Sequence, residues 1–255
     1  MTLQLLLIGQ HLRKRFSFFI YIVSVLFLIS CSSLNQKNTA KVSSGTAFVV
    51  EGNGYIVTAN HVVNNKSYVY IKLSSGKRWI PAEFIRADEK LDVALLRIPV
   101  HLKPLKLAEW SSVPVGLEIV TIGYPMPAIE GMSQKITQGI INSQLGMRDS
   151  PDYFQFSAGV QKGSSGGPVL SLDHKVVGMV VQKISQLGQD ERSKDTPQNI
   201  NYALNAEALY RFLRISFADK LPINKLNLES RLPIFQLYEQ SAESVMAVIA
   251  SDQPL

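Results

Sequence analysis

The stretch "KGSSGGPVL", residues 162–170, sets two serines inside a cage of glycines ahead of an apolar run. Gly163, Gly166 and Gly167 let the backbone turn sharply and leave N–H groups bare enough to face a ligand. The same composition also makes an ordinary turn leading into a strand. Taken alone, the stretch does not choose between a nucleophile and a turn. Residues 163–167 match G-x-S-x-G, the nucleophile elbow of α/β-hydrolases, which needs helices between its strands and a histidine well downstream. The histidine after Ser165 is His174, nine residues on in a hairpin-turn sequence. The elbow reading fails on both counts.

Outward from that stretch the chain reads as all-β. "GTAFVVEGNGYIVTANHVV", 45–63, carries two β-rich runs around a turn at Glu51–Gly54. "YVYIKL", "WIPAEFIRA" and "DVALLRI" follow, and the second half repeats the pattern with "LEIVTIGYP", "QKITQGIINSQ", "YFQFSAG", "GPVLS" and "VVGMVVQK". Short strands with Gly, Pro and Asn turns and no intervening 12-residue helical pattern point to barrels or a sandwich rather than βαβ units. A proline-rich connector spans about 100–115. A helix is expected over 205–216 with Asn205 as its N-cap. In the 217–255 extension, Ile234, Tyr238, Ala242, Val245 and Ile249 fall near helical spacing, which predicts a helix over 232–250 packed on the protein's own barrel.

The N-terminal thirty residues stand apart. A basic cluster at Arg13–Arg15 precedes "FSFFIYIVSVLFLI", an uncharged apolar run of fourteen, 16–29. A membrane-spanning helix needs roughly 20 residues, so this length suits a secretory signal core. The run ends in "LISC", which resembles a bacterial lipoprotein signal and implies lipidation of Cys31, the chain's single cysteine. Residues 1–30 are then the signal peptide and 31–42 a polar tether. An uncleaved signal anchor with an incidental cysteine is the competing reading. Both export the domain and hold it at a membrane, and Ser32 after the cysteine directs it to the outer membrane where two membranes exist. Without residues 1–30 the net charge falls from +6 to +3. With no Lys/Arg run in the remainder, no nucleic-acid partner is expected. One cysteine makes neither a disulfide nor a zinc–thiolate site, and no metal or cofactor is expected.

His61 follows an apolar strand, and Asp92 opens another. A buried carboxylate is costly unless it accepts hydrogen bonds, and an imidazole N–H is one such donor. A packing role for His61 and a surface turn for Asp92, with Asp88 and Glu89 beside it, remain open on these residues alone. Together His61, Asp92 and Ser165 stand in the order His, Asp, Ser, with gaps of 31 and 73 residues. Here the sequence resembles the chymotrypsin-like serine proteases, and within them the bacterial high-temperature-requirement (HtrA/Deg) proteases. The stretches that carry the resemblance are "GTAFVVEGNGYIVTANHVV", "LDVALLRI", "VTIGYP", "KITQGIINS" and "GSSGGPVL". They cover about residues 43–210.

The resemblance implies two six-stranded antiparallel β-barrels, a chymotrypsin-like double barrel with a C-terminal helix, and a protease domain over 43–216. It implies that Ser165 rather than Ser164 is the nucleophile, His61 the base, and Asp92 the group that fixes the imidazole. An oxyanion hole is expected at Gly163, Ser164 and Ser165, with the Gly163 and Ser165 N–H groups as donors. Substrate-binding residues are expected at Gly159, Gln161, Asn201 and Tyr202, with the strand near Ile200–Ala203 taking up extended substrate as an added strand. No acid lies in "SAGVQK", so an apolar or small side chain is expected before the scissile bond. About 40 residues follow the 205–216 helix, too few for the PDZ domain that many relatives carry. "QLGQDERSKDTPQN", 186–199, is a long polar loop that departs from the family. The expected function is a membrane-tethered serine endopeptidase acting on protein or peptide substrates. A silent or gated protease-fold binding module is the alternative, and chain order counts against a serine esterase of unrelated fold.

Overall fold

The computed structural model describes residues 41–181, 200–218 and 221–254. The signal sequence, Cys31, the tether as far as Ala40 and the 186–199 loop lie outside the described residues. Six strands lead the chain: β1 (Ser43–Glu51), β2 (Tyr55–Ala59), β3 (Tyr68–Lys72), β4 (Ile80–Pro81), β5 (Glu83–Asp88) and β6 (Val93–Arg97). The second half adds β7 (Lys106–Ala108), β8 (Glu118–Gly123), β9 (Lys135–Ser143), β10 (Tyr153–Phe156), β11 (Pro168–Ser171), β12 (Lys175–Val180), β13 (Asn201–Asn205) and β14 (Ile223–Asn224). The last strand is β15 (Val245–Ser251). Among the described residues the α-helices are α1 (Asn60–Val63), α2 (Pro127–Glu130), α3 (Ala206–Phe217) and α4 (Ile234–Ser241).

The fold is the chymotrypsin-like double barrel, with its two halves built differently. In the second half, β11, β8, β9, β10, β13 and β12 pair in turn, and β11 pairs β12 to close a six-stranded antiparallel ring. The first half is a seven-stranded sheet, β4-β3-β15-β1-β2-β6-β5, curled but with no pairing between its end strands among the described residues. The expected six-stranded count therefore holds for the second half only.

The extra strand in the first half is β15, and it corrects the reading of the C-terminal extension. Helical spacing is realised over Ile234–Ser241, while Val245–Ser251 is extended. β15 runs antiparallel to both neighbours, with Thr46 of β1 opposite Ala247 and Ile71 of β3 opposite Val248. The physical reason lies in its alternation: Met246, Val248 and Ala250 are fully buried inside the first sheet beside Ile56 and Leu96, while Val245 faces the other way. A short apolar run satisfies either period, and here the nonlocal partners decide.

β1 is buried on both faces for the same reason. Ala47 and Val49 fill the first sheet, whereas Phe48 and Val50 meet Val57, Leu95, Val120 and Leu170 between the two halves. The connector also carries structure, since β7 pairs in parallel with β12 and β14. α3 begins where expected: the Asn205 side chain accepts the Ala208 N–H at 2.8 Å.

Candidate active site

Antiparallel register brings the imidazole and the carboxylate together. Ala59 of β2 lies opposite Val93 of β6, so the residues just after the one and just before the other must meet. His61 stands on α1 two residues past Ala59, and Asp92 is the residue before Val93. The Asp92 carboxylate accepts twice from His61: the backbone N–H at 2.9 Å and ring Nδ1 at 2.7 Å. The Asp92 carbonyl also accepts the Asn60 N–H at 3.1 Å. Asp92 is held at φ 53°, a left-handed conformation in which aspartate is enriched. Its side chain is 3% exposed, whereas that of His61 is 35% exposed. An ionised carboxylate can only accept, so Nδ1 carries the proton and Nε2 of the neutral ring is left as the acceptor.

The charge of this pair is felt nearby. The phenol of Tyr153 donates to the Lys90 carbonyl at 2.9 Å. Burial first, and then the Asp92, Asp152 and Asp88 carboxylates, push it up to about 12.

Ser165 sits in the glycine-bounded turn, and that turn is pressed against the wall that carries His61. Gly166 takes φ 85°, and a Cβ there would lie 2.2 Å from the Thr46 carbonyl oxygen and 2.8 Å from the Ala59 nitrogen. The Ser165 carbonyl accepts the Thr46 N–H at 2.8 Å, and Gly166 N–H donates to the Val180 carbonyl at 2.8 Å. Residues from both halves thus hold the serine, which is itself buried.

The turn over 161–164 is closed by Ser164 N–H on the Gln161 carbonyl at 2.9 Å, with Gly163 at φ 101°. A Cβ on Gly163 would stand 2.4 Å from the Tyr124 carbonyl oxygen. The Lys162 carbonyl accepts the Met126 N–H at 2.6 Å. In a planar trans peptide the N–H points away from the carbonyl, so Gly163 N–H is aimed away from Met126. No acceptor among the described residues takes it. Ser164 is corrected as an oxyanion candidate: its N–H is committed to Gln161, and its hydroxyl accepts the Gln161 N–H at 3.2 Å. It shapes the turn.

Thr46 was not legible as a site residue, yet it pins the turn. Its fully buried hydroxyl donates to the Gly163 carbonyl at 2.8 Å and accepts the Tyr124 N–H at 3.0 Å. The signal available was one polar residue inside the apolar run "TAFVV", which buried polar groups need partners to justify.

Of the expected substrate residues, Gly159 and Gln161 line one cavity of about 290 Å³ with Thr121, Lys135, Thr137 and Ser164. Asn201 and Tyr202 lie on β13 outside that lining, and the Asn201 amide donates to the Ala158 carbonyl at 2.9 Å. Addition of a substrate strand to 200–203 is overturned by the topology. β13 pairs β10 on one edge and β12 on the other, and the Tyr202 carbonyl already accepts the Val181 N–H at 3.1 Å.

A double-barrel fold with a His–Asp pair and a glycine-bounded serine turn held between its halves defines the chymotrypsin-like class. The chain belongs to the trypsin-like peptidase domain family, whose model matches residues 45–179. It is 32% identical over 218 residues to serine protease HTRA1B of Danio rerio, covering 80% of this chain and 42% of that protein. It is 34% identical over 162 residues to a probable periplasmic serine endoprotease, DegP-like, of Chlamydia pneumoniae, covering 62% of this chain and 32% of that protein. The chain thus spans well under half the length of these curated relatives. The serine endoprotease structure from Yersinia pestis shares the fold at TM-score 0.58 and 22% identity, over 72% of this chain and 61% of that one.

Proposed function

We propose that the protein is a serine endopeptidase that hydrolyses peptide bonds of exported or envelope proteins and is tethered to a membrane through a lipid on Cys31. The observation that carries the reading is the two-point hydrogen bond from His61 to the buried Asp92 beside the Ser165 turn. His61 Nε2, left as acceptor, takes the Ser165 hydroxyl proton as the oxygen attacks the scissile carbonyl. Asp92 holds the ring and stabilises the imidazolium that forms. The oxyanion is met by the N–H groups of Gly163 and Ser165, each worth about 3 kcal/mol in comparable sites. Collapse of the tetrahedral species passes the proton from His61 to the leaving amine and leaves an acyl group on Ser165. Water, deprotonated by the same imidazole, then releases the acid. Support for the substrate class and the export comes from the family, the periplasmic relative and the signal-like leader.

A gated or silent protease-fold module is the second reading. It is favoured by the burial of Ser165, whose residue surface is 1% exposed.

Reaction of the full-length chain with a fluorophosphonate probe separates the two. Labelling of the wild type and of Ser164→Ala, lost in Ser165→Ala, is the expected result. A folded wild type that takes up no probe overturns the endopeptidase reading in favour of the module. Cys31→Ser in the same preparations tests the tether: the wild type is expected with the membranes and the variant free of them, and equal membrane association of both rejects the lipid.

A further inference from the structure

The segment between β8 and β9 packs against the Lys162–Gly163 turn at two residues, Tyr124 and Met126. Tyr124 N–H is held by Thr46, Met126 N–H holds the Lys162 carbonyl, and the Tyr124 carbonyl lies where a Cβ of Gly163 would go. Its far end is held by the C-terminal extension. The Gln134 side-chain amide donates to the carbonyl of Ala242 at 2.8 Å and to that of Val245 at 2.7 Å. Only an NH₂ group can serve two carbonyls at once, so the orientation of this amide is fixed by its partners. Ala242 to Val245 is the corner between α4 and β15, more than a hundred residues away in sequence. The buried phenol of Tyr124 lies beside Gln134, and burial pushes it up to about 12, so it stays protonated there.

The corner thus holds Gln134, Gln134 lies beside the Tyr124 side chain, and the Tyr124–Met126 backbone holds the Lys162–Gly163 peptide. We propose that Gln134 is a positioning residue for the proposed peptidase reaction, through which the α4–β15 corner sets the Lys162–Gly163 peptide and with it the oxyanion donor. The proposal rests on the endopeptidase reading. The amide touches no reacting atom and acts through the adjoining Tyr124, and from that segment through Met126 and Lys162. Residues 242–245 lie outside the stretch, 45–179, that the family model matches.

The test compares the full-length wild type with Gln134→Glu, Gln134→Ala and Gln134→Lys. Glutamate has the same shape but turns two donors into acceptors facing two carbonyls. Lysine restores donors without an acceptor. A shift of the oxyanion turn on the order of 1 Å costs up to about 100-fold in rate. The expected result for Gln134→Glu is a 10- to 100-fold (order of magnitude) fall in kcat on casein and in the fluorophosphonate reaction rate, with KM little changed. Gln134→Ala, which adds no repulsion and guards against loss of fold in the glutamate variant, is expected to fall less, and Gln134→Lys to recover much of the wild-type rate. Thermal melting identifies folded protein in each case. Folded Gln134→Ala and Gln134→Glu reacting at the wild-type rate would overturn the inference while leaving the peptidase intact. A wild type that never reacts removes the peptidase reading itself.

Discussion

The two halves of the molecule reach closure by different routes. The second barrel is built from a run between Glu118 and Asn205 and closes on itself through β11 and β12. The first sheet opens at β1 and receives an interior strand, between β1 and β3, from residues 245–251, after the whole second half has intervened. The His61–Asp92 pair therefore sits in the half that depends on both ends of the described chain, and Ser165 in the half that does not. The difference teaches that a site shared by two barrels inherits the weaker assembly of the two.

The strongest way to break that comparison is to end the chain at Ser244. Val245, Met246 and Val248 are fully buried. At about 1.5–3 kcal/mol each they contribute on the order of 5–9 kcal/mol. That is comparable with the whole stability of an ordinary domain, about 5–15 kcal/mol. The first half should fail to fold, seen as lost amide protection over β1, β3 and the His61 region, with protection in the second barrel less affected. A truncated chain that melts cooperatively at the wild-type temperature would show β15 to be dispensable.

A smaller change sharpens the contact between the halves. Thr46→Val keeps the shape but leaves the Gly163 carbonyl and the Tyr124 N–H without their partner. The expected cost is about 1–3 kcal/mol of stability, together with a fall in fluorophosphonate reactivity. Unchanged reactivity would mean that the turn holds itself without the first half.

The smallest expected effect is on pH dependence. His174 Nε2 lies 2.9 Å from the Ser241 hydroxyl, which itself donates to the Leu237 carbonyl, so the ring donates to Ser241. Burial first, then Lys103, with Lys106 and Lys175 adding and Asp173 opposing, lowers the His174 pKa below 6.5. The unfolded chain then binds a proton that the folded one refuses. Stability should decline as pH falls through about 6.5 and level off once the lower folded value is passed. His174→Gln should flatten this slope in thermal melts between neutral and mildly acidic pH. An identical slope would assign it to other groups.

Much of this was legible in the sequence because it is local. β1 and β2 announce themselves through alternation around a glycine turn, and His61 stands where one apolar run ends while Asp92 and the Ser165 turn stand ahead of others. Asn205 caps α3 through its own side chain three residues on. What stayed hidden is nonlocal. "VMAVIAS" carries a period compatible with helix or strand, and only β1 and β3 decide it. Thr46 and Gln134 look like any polar residue until folding sets Gly163 and the Ala242–Val245 corner against them. Ser164 misled in the opposite sense, since its place in the glycine motif does not reveal that its N–H closes the 161–164 turn.

The position of β15 also sets a schedule for biosynthesis. About 200 residues separate the start of β1 from the start of β15. At roughly 5–20 residues per second, a ribosome needs on the order of 10–40 s to supply the strand that β1 and β3 wait for. Once Asn205 has been made the second barrel's strands are all available, but the sheet carrying His61 and Asp92 still lacks β15. On the endopeptidase reading proposed above, a nascent chain has no completed home for His61 and Asp92 until residues 245–251 have been made.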